Sequence, residues 1–301
     1  MSKKTPYLLG ILGTILLGTF LYNSMCCQDC NKEKEIDKNP VVVTTDNVEA
    51  NNFKISGTKF NYDCANNFKF LSNDFKNIQP VDECVNLGIN NLKAYFDKNP
   101  NGKIAITGYA LNSEKNTSAF PNLGLARAND LKDYFISKGI ASNRFDLKGE
   151  LRDAWKVDKD TVYGPADFNV FAPEATDAKV DWAAIKASYN AAPLTLYFNT
   201  GQAEINLTPE ERQKVADLVK YLDNVAGSKL STVGHTDSAG KRENNIKLGL
   251  GRAEFAKAYL SKNGVANDRI EASSKGPDEP IADNNTPDGK AKNRRTAVTI
   301  K

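Results

Sequence analysis

One histidine, His235, stands in the 301 residues of this chain. A single imidazole without cysteine help cannot build a zinc site, and no serine or cysteine nucleophile motif accompanies it. Metal-assisted and acyl-transfer catalysis are therefore disfavoured, and nothing calls for a cofactor. An excess of one charge is also missing. The 40 basic and 37 acidic residues are scattered in both signs and leave a net charge of +3, so no long-range field selects a polyanion. No run of Lys and Arg interleaved with aromatics occurs either, which excludes the footprint of a nucleic-acid groove. What remains is an ordinary globular balance, 40% hydrophobic and 26% charged, with length for about two domains.

Long apolar runs are absent except at the N-terminus, where "PYLLGILGTILLGTFLY" (6–22) follows Lys3 and Lys4. About 17 residues at about 1.5 Å each give about 25 Å of helix, near the lower limit for a membrane span. The competing reading is a cleaved signal peptide. The following "NSMCCQD" offers no small-x-small cleavage site, so an uncleaved anchor is favoured, with the lysines cytoplasmic and the rest exported. The segment holds no acidic group, which argues against an ion-driven motor subunit. Cys26, Cys27 and Cys30 sit just beyond it and can be lipidated, pair with one another or link two chains. Met25 and Asn23 before Cys26 fit a lipoprotein signal poorly, and Cys27-x-x-Cys30 lacks a second pair to complete a metal or redox site. Cys64 and Cys84 can form one disulfide in an exported domain.

Residues 28–51 are polar apart from "VVVTT" and suit a tether of about 80 Å at full stretch, or nearer 30 Å as a coil. Folding is expected to begin near Phe53. From there the chain runs in parallel with itself at an offset of about 125 residues. "NLGLARA" (122–128) answers "KLGLGRA" (247–253), "GIASNRF" (139–145) answers "GVANDRI" (264–270), and Arg127 aligns with Arg252. The partition is an anchor (1–27), a linker (28–51), a first copy (52–173), a connector (174–191) and a second copy (192–301).

Each copy reads as strand, helix, strand, helix, strand, strand, an α+β unit with helices packed on one face of a mixed sheet. The signals are clearest in the second copy. "LTLYFNT" alternates as a half-buried strand, and Thr208, Pro209 and Glu211 form a capping box with proline at the first helical position. Val215, Leu218, Val219 and Leu222 supply an apolar stripe, and Gly264 ends the next helix. In the connector, Trp182, Ile185 and Tyr189 are expected to turn inward.

The polar cluster "GHTDSAGKRENNIKLGLGRA" (234–253) brings Asp237 from a strand end toward Asn245 and Arg252, which share a helical face with Leu248 or Gly249. A carboxylate beside a guanidinium suits a zwitterionic amino-acid terminus. The same two residues can instead pair with each other and fasten helix to sheet. "FNTGQAEI", "GHTDSAG", "NIKLGLGRA", "GVANDRI" and "PIADNNTPDGKAKNRR" resemble, in that order, the OmpA-like peptidoglycan-binding domain. The resemblance covers 192–301. It implies that Asp237 and Arg252 bind the free amino-acid centre of diaminopimelate in the cell-wall stem peptide. It further implies that Thr236, Asn245 and Leu248 line the pocket, and that Asn293, Arg294 and Arg295 match the closing motif, with Arg295 taken as a ligand contact. Gly249 and Gly251 depart from the family pattern and are expected to loosen the helix by up to about 1 kcal/mol each.

The first copy keeps Arg127 but has Leu111 or Asn112 where Asp237 stands, so it is expected not to bind, and to serve as a spacer or meet a different, protein partner. The resulting expectation is a non-enzymatic envelope protein of a Gram-negative cell, periplasmic, held by the inner or alternatively the outer membrane. Its partners are the membrane and peptidoglycan. The alternatives are a scaffold for protein partners and an outer-membrane lipoprotein with the same wall-binding domain.

Overall fold

Alternation of buried and exposed side chains, as in "ADFNVF" (166–171) and "RTAVTI" (295–300), places the strands of two mixed sheets, each with helices packed against it. The computed structural model describes residues 51–153, 155–173, 180–198 and 205–301. The predicted membrane segment 6–22, the linker up to residue 50, and Cys26, Cys27 and Cys30 lie outside the described residues. So do 199–204 of "FNTGQAEI" and the beginning of the connector. Among the described residues, no helix is long and apolar enough to cross a membrane.

The N-terminal half contains β1 (Phe53–Gly57), β2 (Tyr62–Cys64), β3 (Lys69–Leu71), α1 (Glu83–Lys98), β4 (Lys103–Ala110) and α2 (Leu123–Ser137). It continues with β5 (Phe145–Leu151), β6 (Val157–Asp158), β7 (Thr161–Tyr163) and β8 (Ala166–Phe171). The C-terminal half contains α3 (Trp182–Ala191), β9 (Leu194–Tyr197), α4 (Pro209–Asn224), β10 (Leu230–His235) and α5 (Arg242–Lys262). It ends with β11 (Ile270–Gly276), α6 (Pro287–Asn293) and β12 (Arg295–Ile300). The first sheet has the order β2-β1-β8-β4-β5 and the second β9-β12-β10-β11. In both, the strand before the long helix is parallel to the one after it and antiparallel to the last strand (β4 with β5 and β8, β10 with β11 and β12). The edge differs. β9 runs antiparallel to β12, whereas β1 runs parallel to β8 and carries the extra strand β2. β3 leaves the sheet and joins β7 and β6.

The repeated phrases have repeated jobs. Arg144 of "GIASNRF" donates to the carbonyls of Asn99, Pro100 and Gly102 beyond the end of α1. Arg269 of "GVANDRI" donates to those of Leu222, Val225 and Ser228 at the end of α4. Each arginine thus pins the turn that follows a helix. The shared "LG" phrases allow close crossing: a Cβ on Gly108 would collide with the Gly124 carbonyl, and one on Gly234 with that of Gly249. Gly249 is therefore a packing residue, where a Cβ would press on Ser274 Oγ and Gly234 O. Gly251 has open space around it.

The expected capping box is present, with the Thr208 side chain accepting from Glu211 N and Glu211 returning a bond to Thr208 N. Val215, Leu218, Val219 and Leu222 are all buried. The connector helix is less buried than expected: Trp182 and Tyr189 pack partly on the core, but Ile185 faces solvent, because α3 lies on α4 at the rim. Cys64 and Cys84 form a disulfide that ties β2 to the start of α1, with 6.0 Å between Cα atoms. Closing a loop of this size contributes about 3 kcal/mol in the chain-entropy account.

The halves share a core. Phe75, Ala110, Ala119, Phe120, Leu123 and Ala126 pack in one cluster with Leu218, Leu222, Leu260 and Val265. Beside it, the buried Lys132 Nζ donates to Asp223 Oδ2 (2.6 Å) and Asn129 Oδ1 (2.9 Å) and lies 3.4 Å from Asp133 Oδ1.

Candidate functional site

β10 ends in a register shift between Gly234 and His235, which releases the chain from the ladder and turns Thr236 and Asp237 out of the sheet. Thr236 N donates to Gly276 O (2.8 Å), and its hydroxyl donates to Asp237 O (2.8 Å), so Thr236 fixes the turn. Asp237 Oδ1 accepts from Ala239 N at 3.1 Å, and Asp237 Oδ2 accepts from Arg294 Nη1 at 3.0 Å. Both side chains reach solvent only partly, at 20% for Arg294 and 15% for Asp237.

Arg252 lies on the sheet-facing side of α5, almost buried. Its Nη1 donates to His235 O at 3.2 Å, and its guanidinium sits 5.6 Å from the Phe198 ring centre. A guanidinium has five N–H donors, so among the described residues most of the Arg252 donors have no protein acceptor. Burial lowers its pKa, as does the charge of Arg294, while Asp237 raises it. Two guanidiniums thus face one carboxylate, and the surplus positive charge favours an anionic group on Arg252.

The remaining predicted residues divide. Asn245, on the first turn of α5, is buried and donates to Ala239 O (2.9 Å), which holds the loop that presents Asp237. Leu248 is 50% exposed, because the line through Asn245 and Arg252 continues through Gly249, against the sheet. Arg295 is turned away from Asp237: it opens β12, is buried, and donates to Glu279 O at 3.1 Å. The arginine that meets Asp237 is its neighbour Arg294, at the end of α6. Asn293 is fully buried, accepting from Ile281 N and Ala282 N and donating to Ala282 O and Asn284 Oδ1, so it pins the loop before α6. The expected alternative, an ion pair between Asp237 and Arg252, is not present among the described residues; Arg294 takes that place.

His235 is 4% exposed and its pKa is pushed down to about 4, first by burial and then by the charge of Arg295. It is neutral at physiological pH. Cys64, Asp82 and Cys84 are close enough to share an ion, but both sulfurs belong to the disulfide.

In the N-terminal half Arg127 on α2 has a place similar to that of Arg252 on α5. Its Nη1 donates to Tyr109 O (3.0 Å), the carbonyl in β4 that corresponds to His235 O in β10. The position matching Asp237 holds Leu111, and Arg127 is completely buried against Glu114, an acid that the sequence comparison passed over.

The C-terminal half thus sets an acid just beyond a strand end and a buried guanidinium on the long helix close enough for each to feel the other's charge. Residues 197–294 match the profile of the OmpA family and constitute an OmpA family domain within the chain. The chain is 34% identical over 104 residues to the peptidoglycan-associated lipoprotein of Buchnera aphidicola, covering 35% of this chain and 59% of that protein. It is 33% identical over 132 residues to the peptidoglycan-binding protein ArfA of Mycobacterium bovis, covering 43% and 39%. It therefore spans less than two thirds of the length of these relatives. Among solved structures, the peptidoglycan-associated lipoprotein from Burkholderia pseudomallei aligns at 27% identity with a TM-score of 0.33, over 36% of this chain and 92% of that one.

Proposed function

We propose that this chain is a non-enzymatic envelope protein that tethers a membrane to the cell wall. In this reading the OmpA family domain binds the diaminopimelate centre of a peptidoglycan stem peptide non-covalently. The carrying observation is the arrangement of Asp237, Arg294 and Arg252: a buried guanidinium most of whose donors have no acceptor among the described residues, close to a carboxylate that is itself partly exposed. Arg252 takes the ligand carboxylate, and Asp237, already oriented by Ala239 N and Arg294, takes the ammonium. Thr236 and Asn245 hold the loop rather than the ligand. Leu248, half exposed, flanks the opening. Arg294 replaces Arg295 in the ligand-contact role.

The names of the similar proteins, peptidoglycan-associated and peptidoglycan-binding, support the wall as partner. Segment 6–22 anchors the inner membrane in this proposal, the linker gives reach, and the N-terminal half is a degenerate copy in the periplasm. Charged contacts of this kind contribute about 1.5–3 kcal/mol each before ordering costs, so single-site affinity is modest. Many copies on one membrane facing a repeating polymer raise it through effective concentration.

The test is calorimetric titration of the full chain with diaminopimelate, alongside Asp237→Ala and Arg252→Ala variants that keep the native circular dichroism spectrum. Binding by the native protein and its loss in both variants is the expected result. A native protein that releases no heat with diaminopimelate and does not sediment with purified cell wall overturns the proposal.

A further inference from the structure

We infer that the N-terminal half carries a second carboxylate-binding site, built on Arg127, which the chain itself fills with Glu114. All five N–H donors of Arg127 are engaged. Nε donates to Asp74 O (3.0 Å), Nη1 to Tyr109 O (3.0 Å) and Glu114 Oε2 (2.9 Å), and Nη2 to Leu71 O (3.2 Å) and Glu114 Oε1 (2.6 Å). The two bonds to Glu114 have the forked geometry with which arginine grips any carboxylate. Three backbone carbonyls hold the guanidinium independently of Glu114, so the fork stays aimed when the carboxylate is taken away. That is what separates a receptor for a carboxylate from a mere ion pair between two side chains.

Glu114 is equally committed. Its Oε2 also accepts from Leu111 N (2.8 Å) and its Oε1 from Asn73 N (3.0 Å), so the carboxylate receives two donors on each oxygen. The Glu114 side chain is 3% exposed. The loop that carries it, 111–122, is closed from both sides. Asn73 accepts from Lys115 N and Thr117 Oγ1, and from the C-terminal half Asn263 Oδ1 accepts from Ala119 N (2.8 Å) while Arg212 donates to Ser118 O.

The site would take a small monocarboxylate. It has no ammonium partner, because Leu111 stands where the other half has Asp237, so a plain anion such as formate or acetate suits it as well as an amino acid. The inference stands whether or not Arg252 binds a ligand, since its readout concerns Arg127 alone.

The experiment is thermal unfolding of the full chain in rising formate, against chloride at matched ionic strength, for native protein, Glu114→Ala and Glu114→Gln. Truncation to alanine strips the buried guanidinium of its counter-ion and is expected to lower Tm by on the order of 10 °C. Formate then raises the Tm of Glu114→Ala progressively, by mass action, and leaves unmoved the native protein, whose site is full, and Glu114→Gln, which also loses the counter-ion and is destabilised but whose amide occupies the space formate would need. Should Glu114→Ala fold too poorly to melt, refolding yield with and without formate is the readout. Equal response of all three proteins, no response of Glu114→Ala, or no recovery of it in formate while Glu114→Gln folds would each overturn the inference.

Discussion

Replacing Asp133 by asparagine is expected to turn a nearly flat pH profile of stability into one that rises between pH about 4 and about 6.5. Two groups, one buried and one partly buried, oppose each other in the native chain. His235 titrates at about 4 when folded, against 6.5 for a free imidazole, because burial and then Arg295 disfavour its charge, with Lys275 adding to and Glu279 opposing that push. The folded chain therefore binds fewer protons than the unfolded one in this window, and stability is lost as pH falls from 6.5 toward 4. The loss is at most about 3 kcal/mol, from about 2.5 pH units at about 1.36 kcal/mol each. Asp133 has the reverse sign. Burial pushes it up from 3.8 to about 6, Asp223 and Asp130 push the same way, and Lys132 and Lys76 resist. Its contribution is complete below pH about 4 and lost as pH rises through about 6. It amounts to about 3 kcal/mol, or about 2 once solvent screening is applied, because 32% of the side chain meets water. Asp223, also raised by burial, adds to this side. Urea titrations at pH values spanning the window, with unchanged slope, give the profile. A profile for Asp133→Asn as flat as that of the native chain refutes the reasoning, and His235→Gln should tilt it the opposite way.

Gly264 has φ +100°, and a Cβ there would press on Asn129 Nδ2 and Asp133 Oδ2 across the junction of the halves. Gly264→Ala should cost roughly 2–3 kcal/mol in urea unfolding, the strain of the left-handed backbone together with the displaced contact. Lys132→Ala leaves Asp223 buried without its cation and should cost about 3–5 kcal/mol, whereas Lys132→Met combined with Asp223→Leu should recover most of that loss.

Local chemistry was legible and facing was not. Thr208, Pro209 and Glu211 announce a helix start because each acts within one turn, and Val215, Leu218, Val219 and Leu222 announce its buried face because the stripe repeats. Asp237 and Arg252 were found from residue type and spacing. Arg294 and Arg295 are identical letters, and which one meets Asp237 depends on where α6, a helix of 7 residues, hands over to β12. So short a helix leaves no periodic signal. Leu248 and Gly249 differ by one position on α5, and the tight crossing at Gly234 decides between them. Glu114 escaped because position-by-position comparison looks for an acid at Leu111, whereas the acid arrives from a loop with a different path. Phe75 and Phe120 joined the shared core from loops, where no period marks an inward face.

That different path has a cause in the sequence. From Gly108 to Gly124 and from Gly234 to Gly249 the two halves spend nearly the same number of residues. In the C-terminal half, α5 already begins at Arg242, so Asn245 is helical and the loop carrying Asp237 is short. In the N-terminal half the helix begins only at Leu123, capped by the Asn122 side chain on Leu125 N, and Pro121 stands immediately before. A proline there cannot supply the amide of an earlier turn, and it pushes the residue ahead of it away from helical dihedrals. The residues that would have formed those turns are released as the 111–122 loop. That loop delivers Glu114 to Arg127, and it also delivers Ala119 and Phe120 to the core shared with the C-terminal half. The loop that closes over Arg127 and the loop that packs the two halves together are thus one and the same segment, which ends at Pro121 and the start of α2. In the proposed reading the N-terminal half, packed in this way, braces the C-terminal half rather than binding beside it.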